Sequence, residues 1–125
     1  MSRILIVDDD PLIVRMLSDV LTDEGYEVTT ATQSLRAFDR AKESQPDLIL
    51  MDIMMPYLDG LDQIKLLSLE DDLKDIPIIV ITAKTDALDG IDDLRALRIV
   101  DHLVKPFEIS DMLEKIGKAI ENKAK

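Results

Sequence analysis

Short runs of apolar residues recur along this chain at similar intervals, and they constrain its fold more than any other feature. Four of these runs have no polar alternation: Ile4–Val7, Leu48–Met51, Ile78–Ile81 and Leu103–Val104. Runs of this length are typical of strands that are buried on both faces, as in a parallel sheet. The weaker, alternating stretch Tyr26–Ala31 predicts one further strand nearer an edge of the sheet.

Segments with helical periodicity separate the predicted strands. Apolar residues share one helix face in Ile13–Leu21 and again in Ile109–Ile120. Further helices are expected over about residues 34–43, over the segment that follows Asp59–Gly60, and over about residues 86–97. Helices therefore alternate with strands along the whole chain.

Local signals mark both ends of the first helix. Asp10 is a typical N-cap, Pro11 suits the first helical position, and Gly25 suits the left-handed residue that follows a helix. We therefore interpret Asp10 as a helix cap rather than as a metal ligand.

Five alternations of strand and helix predict a single α/β domain over residues 1–125. Because the connections between parallel strands are right-handed, we expect an open, doubly wound, five-stranded parallel sheet between two layers of helices. No repeat, linker or change in composition marks a second domain.

The composition excludes several classes of protein. A hydrophobic fraction of 46% with 33% charged residues is typical of a globular chain. The lack of cysteine and the single histidine, His102, exclude disulfide scaffolds, thiol nucleophiles and multi-histidine metal centres. No apolar run is long enough to span a bilayer and no export signal is recognisable, so we expect a soluble, cytoplasmic protein without membrane contact.

The charge balance opposes binding to nucleic acid. The chain has 15 Lys and Arg residues against 26 Asp and Glu residues, which gives a net charge of −11. Such a charge repels a phosphate backbone, and no basic stripe offsets it. We therefore expect no direct nucleic-acid partner.

Polar side chains follow four of the five predicted strands. They are Asp8, Asp9 and Asp10 after the first strand, Asp52 after the third, Thr82 after the fourth and Lys105 after the fifth. In an open parallel sheet these positions lie along one edge, where ligands bind. Two carboxylates ~4 Å apart repel by about 4 kcal/mol at an effective dielectric constant of about 20, so the acids require a cation. Oxygen ligands favour Mg²⁺ or a similar ion such as Mn²⁺.

The same groups suit phosphoryl transfer. A divalent metal and Lys105 would neutralise phosphoryl oxygens, the Thr82 hydroxyl would bind one of them, and a carboxylate would act as the nucleophile.

The motifs and their order resemble the receiver domain of bacterial two-component response regulators, including the chemotaxis regulators. The matching segments are Ile4–Pro11, Pro46–Pro56, Asp59–Gly60, Ile81–Ala83 and Lys105–Phe107. The resemblance covers nearly all of the chain. It implies a flavodoxin-like sheet of order 2-1-3-4-5 and the function of a phosphorylated signalling switch.

The resemblance also implies a role for each acidic residue of the site. Asp52 would be the phospho-acceptor, and the Mg²⁺ ligands would be Asp8, Asp9, Asp52 and the backbone carbonyl of Met54. Asp9 would bind the metal directly and Asp8 through water. The domain would help to hydrolyse its own aspartyl phosphate, without being an enzyme in the usual sense.

Three further residues would form the switch. Lys105 would pair first with Asp52 and then with its phosphoryl group, and Thr82 would turn inward to bind a phosphoryl oxygen. His102 stands where the family usually has Tyr or Phe. It is either a working switch, with pH-sensitive coupling because an imidazole can change charge near neutral pH, or a histidine that fills a half-buried slot.

The turn before the last strand departs from the family pattern. The family usually has a Gly-Ala pair there, whereas this chain has Leu97–Asp101 without glycine. Because a left-handed residue other than glycine is costly, we expect the preceding helix to end differently or to be shifted.

The family's phosphoryl donor is a phosphohistidine on a sensor kinase or on a phosphotransfer protein. Its usual output surface is the face formed by the fourth predicted helix, the fifth strand and the fifth helix, which here would bind an unidentified downstream protein.

Two other functions stay open. Asp8 and Asp10 are spaced as in small Mg²⁺-dependent aspartyl-phosphate hydrolases, in which Asp8 rather than Asp52 would be the nucleophile. The chain could also be an adaptor that keeps the fold and works without phosphorylation.

Overall fold

The computed structural model describes residues 2–33, 36–54, 60–83 and 97–124. Within these ranges the chain forms one sheet of five strands. The strands are β1 (Arg3–Val7), β2 (Glu27–Ala31), β3 (Leu48–Asp52), β4 (Ile78–Thr82) and β5 (Ile99–Val104).

Four helices lie within the described residues. They are α1 (Pro11–Asp23), α2 (Ala37–Ser44), α3 (Gly60–Ser68) and α4 (Ile109–Ala124). The helix expected over about residues 86–97 falls almost wholly outside the described ranges, and α4 corresponds to the fifth predicted helix. None of the helices in the described ranges is long and apolar enough to cross a membrane.

The five strands are all parallel and lie in the order β2-β1-β3-β4-β5. This confirms the predicted doubly wound, flavodoxin-like sheet, with β2 at one edge and β5 at the other. The pairing places the carboxyl ends of the strands side by side, because Val7 pairs with both Ala31 and Met51, and Thr82 pairs with Val104. The residues that follow the strands therefore meet at one edge.

Two apolar clusters cover the two faces of the sheet. Leu5 and Val7 of β1 point to the cluster that includes Ile64 of α3, whereas Ile4 and Ile6 point to the cluster that includes Leu17 of α1. Alternate side chains of the same strand are thus buried on opposite faces, as a sheet covered by helices on both sides requires. This explains why the central strands are apolar without alternation.

The structure confirms the predicted ends of α1. The Asp10 carboxylate accepts a hydrogen bond from the Leu12 N–H at 3.0 Å, and Pro11 occupies the first helical position. After the helix, Gly25 has a φ of +94° and its N–H donates to the Thr22 carbonyl oxygen. The Tyr26 N–H donates to the Leu21 carbonyl oxygen, which completes a Schellman motif.

The start of β5 differs from the expectation. The strand begins at Ile99, not near Leu103, and a bulge lies opposite the Ile78–Ile79 pair of β4. Arg98 directly before it has a φ of +59°, so the turn keeps a left-handed residue even though it has no glycine. Its carbonyl accepts the Ile78 N–H at 2.8 Å, and this bond at the start of the β4–β5 pairing supports the strained turn.

Two glycine-to-alanine substitutions should change stability in opposite directions. At Gly25 an added Cβ meets no atom within 4 Å, so Gly25→Ala should lower the free energy of unfolding only through the left-handed backbone, by about 1–2 kcal/mol. Gly117 lies inside α4 with equal space around it, so Gly117→Ala should raise the free energy of unfolding by about 0.5–1 kcal/mol. Urea denaturation measures both, and a loss of stability at both positions would contradict the account.

Candidate functional site

The predicted site residues meet at the carboxyl edge of the sheet. Asp52 is the last residue of β3 and Thr82 the last of β4, while Asp8 follows β1 and Lys105 follows β5. Asp8, Asp52 and Thr82 are buried, with exposed fractions of 0%, 4% and 1%. The parallel register thus places four sequence-distant polar groups at the ends of neighbouring strands.

Lys105 joins the two buried acids. Its Nζ lies 3.1 Å from Asp8 Oδ2 and 3.2 Å from Asp52 Oδ2, and its side chain is 25% exposed. The sequence predicted the contact with Asp52 and missed the equally short contact with Asp8. The signal for it was the need of adjacent carboxylates for a cation, which applies to Asp8 as much as to Asp52.

Backbone N–H groups hold the second oxygen of each buried carboxylate. The Asp10 N–H donates to Asp8 Oδ1 and the Met54 N–H donates to Asp52 Oδ1, both at 2.9 Å. In both cases the donor lies two residues after the acid, where the chain turns away from the strand. Each carboxylate is therefore fixed by one backbone bond and one bond to Lys105.

Burial and charge shift the protonation of this group. Burial raises the pKa of Asp8 above its usual value, and the Asp52 charge raises it further, whereas the Asp10 N–H and Lys105 oppose the rise. For Lys105, burial alone would lower the pKa, but the hydrogen bonds and charges of Asp8 and Asp52 outweigh it and raise the pKa. The lysine therefore stays charged, and Asp8 lacks sufficient positive charge around it.

The acidic residues fit a divalent cation. Ligand oxygens of Asp8, Asp9 and Asp52 lie within 4.8 Å of one another, and Asp9 is exposed at the mouth of the site. Three ionised carboxylates and one lysine leave two negative charges, which one divalent ion would neutralise. Oxygen donors without histidine or cysteine favour Mg²⁺ over softer metals.

A backbone hydrogen bond joins Thr82 to Lys105. The Lys105 N–H donates to the Thr82 carbonyl oxygen at 2.7 Å, so the β4–β5 pairing continues up to the site. The peptide bond that follows, between Lys105 and Pro106, is cis.

His102 lies within β5. It pairs with Val80 in the sheet and its side chain is exposed, so the expectation of a half-buried histidine is wrong. Its role as a switch stays a prediction. The fourth predicted helix, which would complete the expected output surface beside β5, lies outside the described residues.

Comparisons with known proteins give the family. The sequence model of the response regulator receiver domain matches residues 4–117. The DNA-binding response regulator MtrA of Mycolicibacterium smegmatis is 34% identical over 115 residues, which are 92% of this chain and 49% of MtrA. The chain thus spans about half the length of the curated relatives it matches.

Solved structures agree with the sequence matches. The chemotaxis protein CheY4 of Vibrio cholerae superposes with a TM-score of 0.86 at 31% identity, over 95% of this chain and 98% of that chain. The response regulator protein TrrA of Thermotoga maritima, solved in complex with Mg²⁺ and BeF, gives a TM-score of 0.81 at 34% identity. That match covers 95% of this chain and 99% of TrrA.

The relatives correct one expectation. From the net charge of −11 we expected no direct nucleic-acid partner, but MtrA is a DNA-binding response regulator. The charge argument was wrong because it describes only these 125 residues, whereas MtrA is about twice as long as the part that matches.

Removing the charge of Asp8 should stabilise the fold when no metal is bound. Because the pKa of Asp8 is raised in the folded state, its ionised form lowers the free energy of unfolding at neutral pH. Asp8→Asn should therefore be more stable than the wild type at pH 7 in a chelator. This difference should shrink as the pH falls through the raised pKa and vanish below the usual value of 3.8.

Denaturant unfolding at several pH values, with and without Mg²⁺, measures this effect. Mg²⁺ should stabilise the wild type more than Asp8→Asn, because the variant lacks one of the three carboxylates. Equal stability of both proteins in chelator at pH 7 would contradict the electrostatic account.

Proposed function

This chain belongs to the response regulator receiver domain family, and we propose that Asp52 is the residue on which it is phosphorylated in two-component signalling. The observation that carries this proposal is the position of Lys105 Nζ, which lies 3.2 Å from Asp52 Oδ2 and 3.1 Å from Asp8 Oδ2. One cation thus holds the acceptor carboxylate and the proposed metal-binding acid together.

The proposed metal ligands are Asp8, Asp9, Asp52 and the Met54 backbone carbonyl. The grouping of the three carboxylates supports the first three, and the Met54 N–H bond to Asp52 supports a place for the Met54 backbone beside the site. A bound Mg²⁺ would neutralise charge on the transferred phosphoryl oxygens. Mn²⁺ has similar oxygen preferences and is expected to substitute for it.

Asp52 acts as the nucleophile in this proposal. A carboxylate oxygen attacks the phosphorus of a phosphohistidine on a sensor kinase or phosphotransfer protein. The new P–O bond forms as the P–N bond breaks, and the electron pair of that bond stays on the imidazole nitrogen. The product is an aspartyl phosphate and a free histidine on the donor.

Lys105 and Thr82 respond to the new group. Lys105 already touches Asp52 and can move its hydrogen bond to a phosphoryl oxygen without leaving the site. Thr82 ends the neighbouring strand and offers its hydroxyl as a further donor. To change a two-state population from 1:99 to 99:1, such contacts must favour one state by about 5.5 kcal/mol.

The rest of the proposal concerns the setting of the domain. Receiver domains are signalling acceptors rather than conventional enzymes, and we propose that this one also hydrolyses its own aspartyl phosphate. The family match to residues 4–117 and the single sheet formed by strands from Arg3 to Val104 support one domain over residues 1–125. A kinase donor supports a cytoplasmic location. By analogy with MtrA, the phosphorylated state could control DNA binding in a protein that contains this domain.

The hydrolase alternative is less well supported by the geometry. It would need Asp10 as a partner of the nucleophile Asp8, but the Asp10 carboxylate caps α1 through the Leu12 N–H. Asp8 itself is fully buried against Lys105.

Phosphorylation with a small-molecule donor tests the proposal. After incubation with acetyl phosphate and Mg²⁺, intact-protein mass spectrometry should show one added phosphoryl group on the wild type. Asp52→Asn should show none, because the amide is not a nucleophile for this reaction. A chelator should abolish the gain in the wild type.

Asp10→Asn is the matched control, because asparagine caps a helix as well as aspartate does. We expect it to be phosphorylated like the wild type. A phosphoryl group that persists in Asp52→Asn and disappears in Asp8→Asn or Asp10→Asn would favour the hydrolase. If no protein gains mass and none binds beryllofluoride, the adaptor would be the better account.

A further inference from the structure

Strand β5 forms a free edge of the sheet within the described residues. The sheet ends at β5, which pairs only with β4. Val100 is 49% exposed and the His102 side chain is also exposed, so solvent reaches the middle of the strand. An open edge of this kind can pair with a strand of another molecule unless something prevents it.

The backbone of His102 points outward along this edge. The N–H of Lys105, three residues later, donates inward to Thr82 of β4. Since successive residues of a strand direct their backbone groups alternately to the two sides, the N–H and C=O of His102 face away from β4. Both groups would be available to a further strand.

Two side chains form hydrogen bonds with the outward-facing N–H and C=O of His102. Asp101 Oδ1 accepts the His102 N–H at 2.9 Å, and Lys115 Nζ of α4 donates to the His102 carbonyl oxygen, also at 2.9 Å. Both hydrogen-bonding groups that a neighbouring strand would use at His102 are therefore already bonded.

Lys115 is itself held in place. Its Nζ lies 3.7 Å from Asp101 Oδ1 and 3.5 Å from Asp111 Oδ2, and its side chain is 26% exposed. Asp101 lies on β5, whereas Asp111 lies one turn before Lys115 on α4, so the lysine side chain is held between its own helix and the edge strand. Lys115 therefore does more than pair with exposed acids, because it also donates a hydrogen bond to the backbone of the edge strand.

We propose that Asp101 and Lys115 guard the edge of β5 and prevent it from pairing with β5 of a second copy of this chain. The partner is a second copy because antiparallel pairing of two identical edges about a two-fold axis is self-complementary and closes as a dimer. Pairing of β5 with the other free edge, β2, would be head-to-tail and would not close. These two side chains keep the His102 N–H and C=O hydrogen-bonded within their own chain.

Removing both side chains should leave the backbone groups of this edge free to pair with a second chain. In Asp101→Ala/Lys115→Met the His102 N–H and C=O lose both side-chain partners, while the methionine keeps most of the apolar stem of the lysine. Sedimentation should then show a mass that rises with protein concentration from one chain toward two. Amide exchange at His102 and Val104 should slow by about tenfold at high concentration, because the amides enter a new ladder.

The matched control is Glu114→Gln/Lys118→Met. This pair is also an exposed ion pair of α4, with 3.0 Å between Lys118 Nζ and Glu114 Oε1, and the Lys118 charge also acts on Asp101, although it is not bonded to the His102 backbone. We expect the control and the wild type to show the same sedimentation as each other at every concentration, without slower exchange at His102 and Val104.

Two results would overturn the proposal. One is an Asp101→Ala/Lys115→Met variant that is folded by circular dichroism and sediments like the wild type at every protein concentration. The other is self-association without protection of the His102 and Val104 amides. If the double variant does not fold, Asp101→Ala and Lys115→Met are tested singly, and the proposal fails if both fold and neither self-associates more than the wild type.

Discussion

The attraction between Lys105 and the two buried carboxylates of Asp8 and Asp52 is the interaction on which the site depends. Without the lysine, two acids with exposed fractions of 0% and 4% would lie close together at the end of an apolar sheet. The lysine reduces this cost without removing it, since the pKa of Asp8 stays raised. The remaining negative charge suits the site to bind a divalent cation, and the charge of that cation would in turn attract phosphoryl oxygens.

The sheet makes this arrangement possible. Because all five strands are parallel, their carboxyl ends lie at one edge, and residues more than forty positions apart in the sequence become neighbours. The apolar central strands are buried on both faces and hold these ends firmly. In the proposed function, phosphoryl transfer changes the contacts of Lys105 and Thr82 without rebuilding the core.

The sequence allowed prediction of most of the fold, because its signals were local. Apolar runs, helical periodicity and the caps at Asp10 and Gly25 each depend on a few neighbouring residues, and the structure confirms them. The left-handed Arg98 and the exposed His102 could not be predicted in this way. Both depend on where β5 begins and on the bulge in its pairing with β4, which are tertiary features.

The residues that converge at the site were also predictable, since each follows an apolar strand. Their contacts were less so: the bond from Lys105 to Asp8 and the two side chains on the His102 backbone depend on side-chain geometry. The error about nucleic acid had a different origin. A net charge describes the residues it is counted over, and the relatives extend well beyond them.

Mapping the position of the phosphoryl group tests the central claim most directly. The wild-type protein would be phosphorylated with acetyl phosphate and Mg²⁺, reduced with borohydride, digested and sequenced by mass spectrometry. Reduction converts an aspartyl phosphate to homoserine, which marks the acceptor permanently. We predict homoserine at position 52 and at no other aspartate. Homoserine at position 8 instead, or no reduced aspartate in a protein that has gained the phosphoryl mass, would contradict the account.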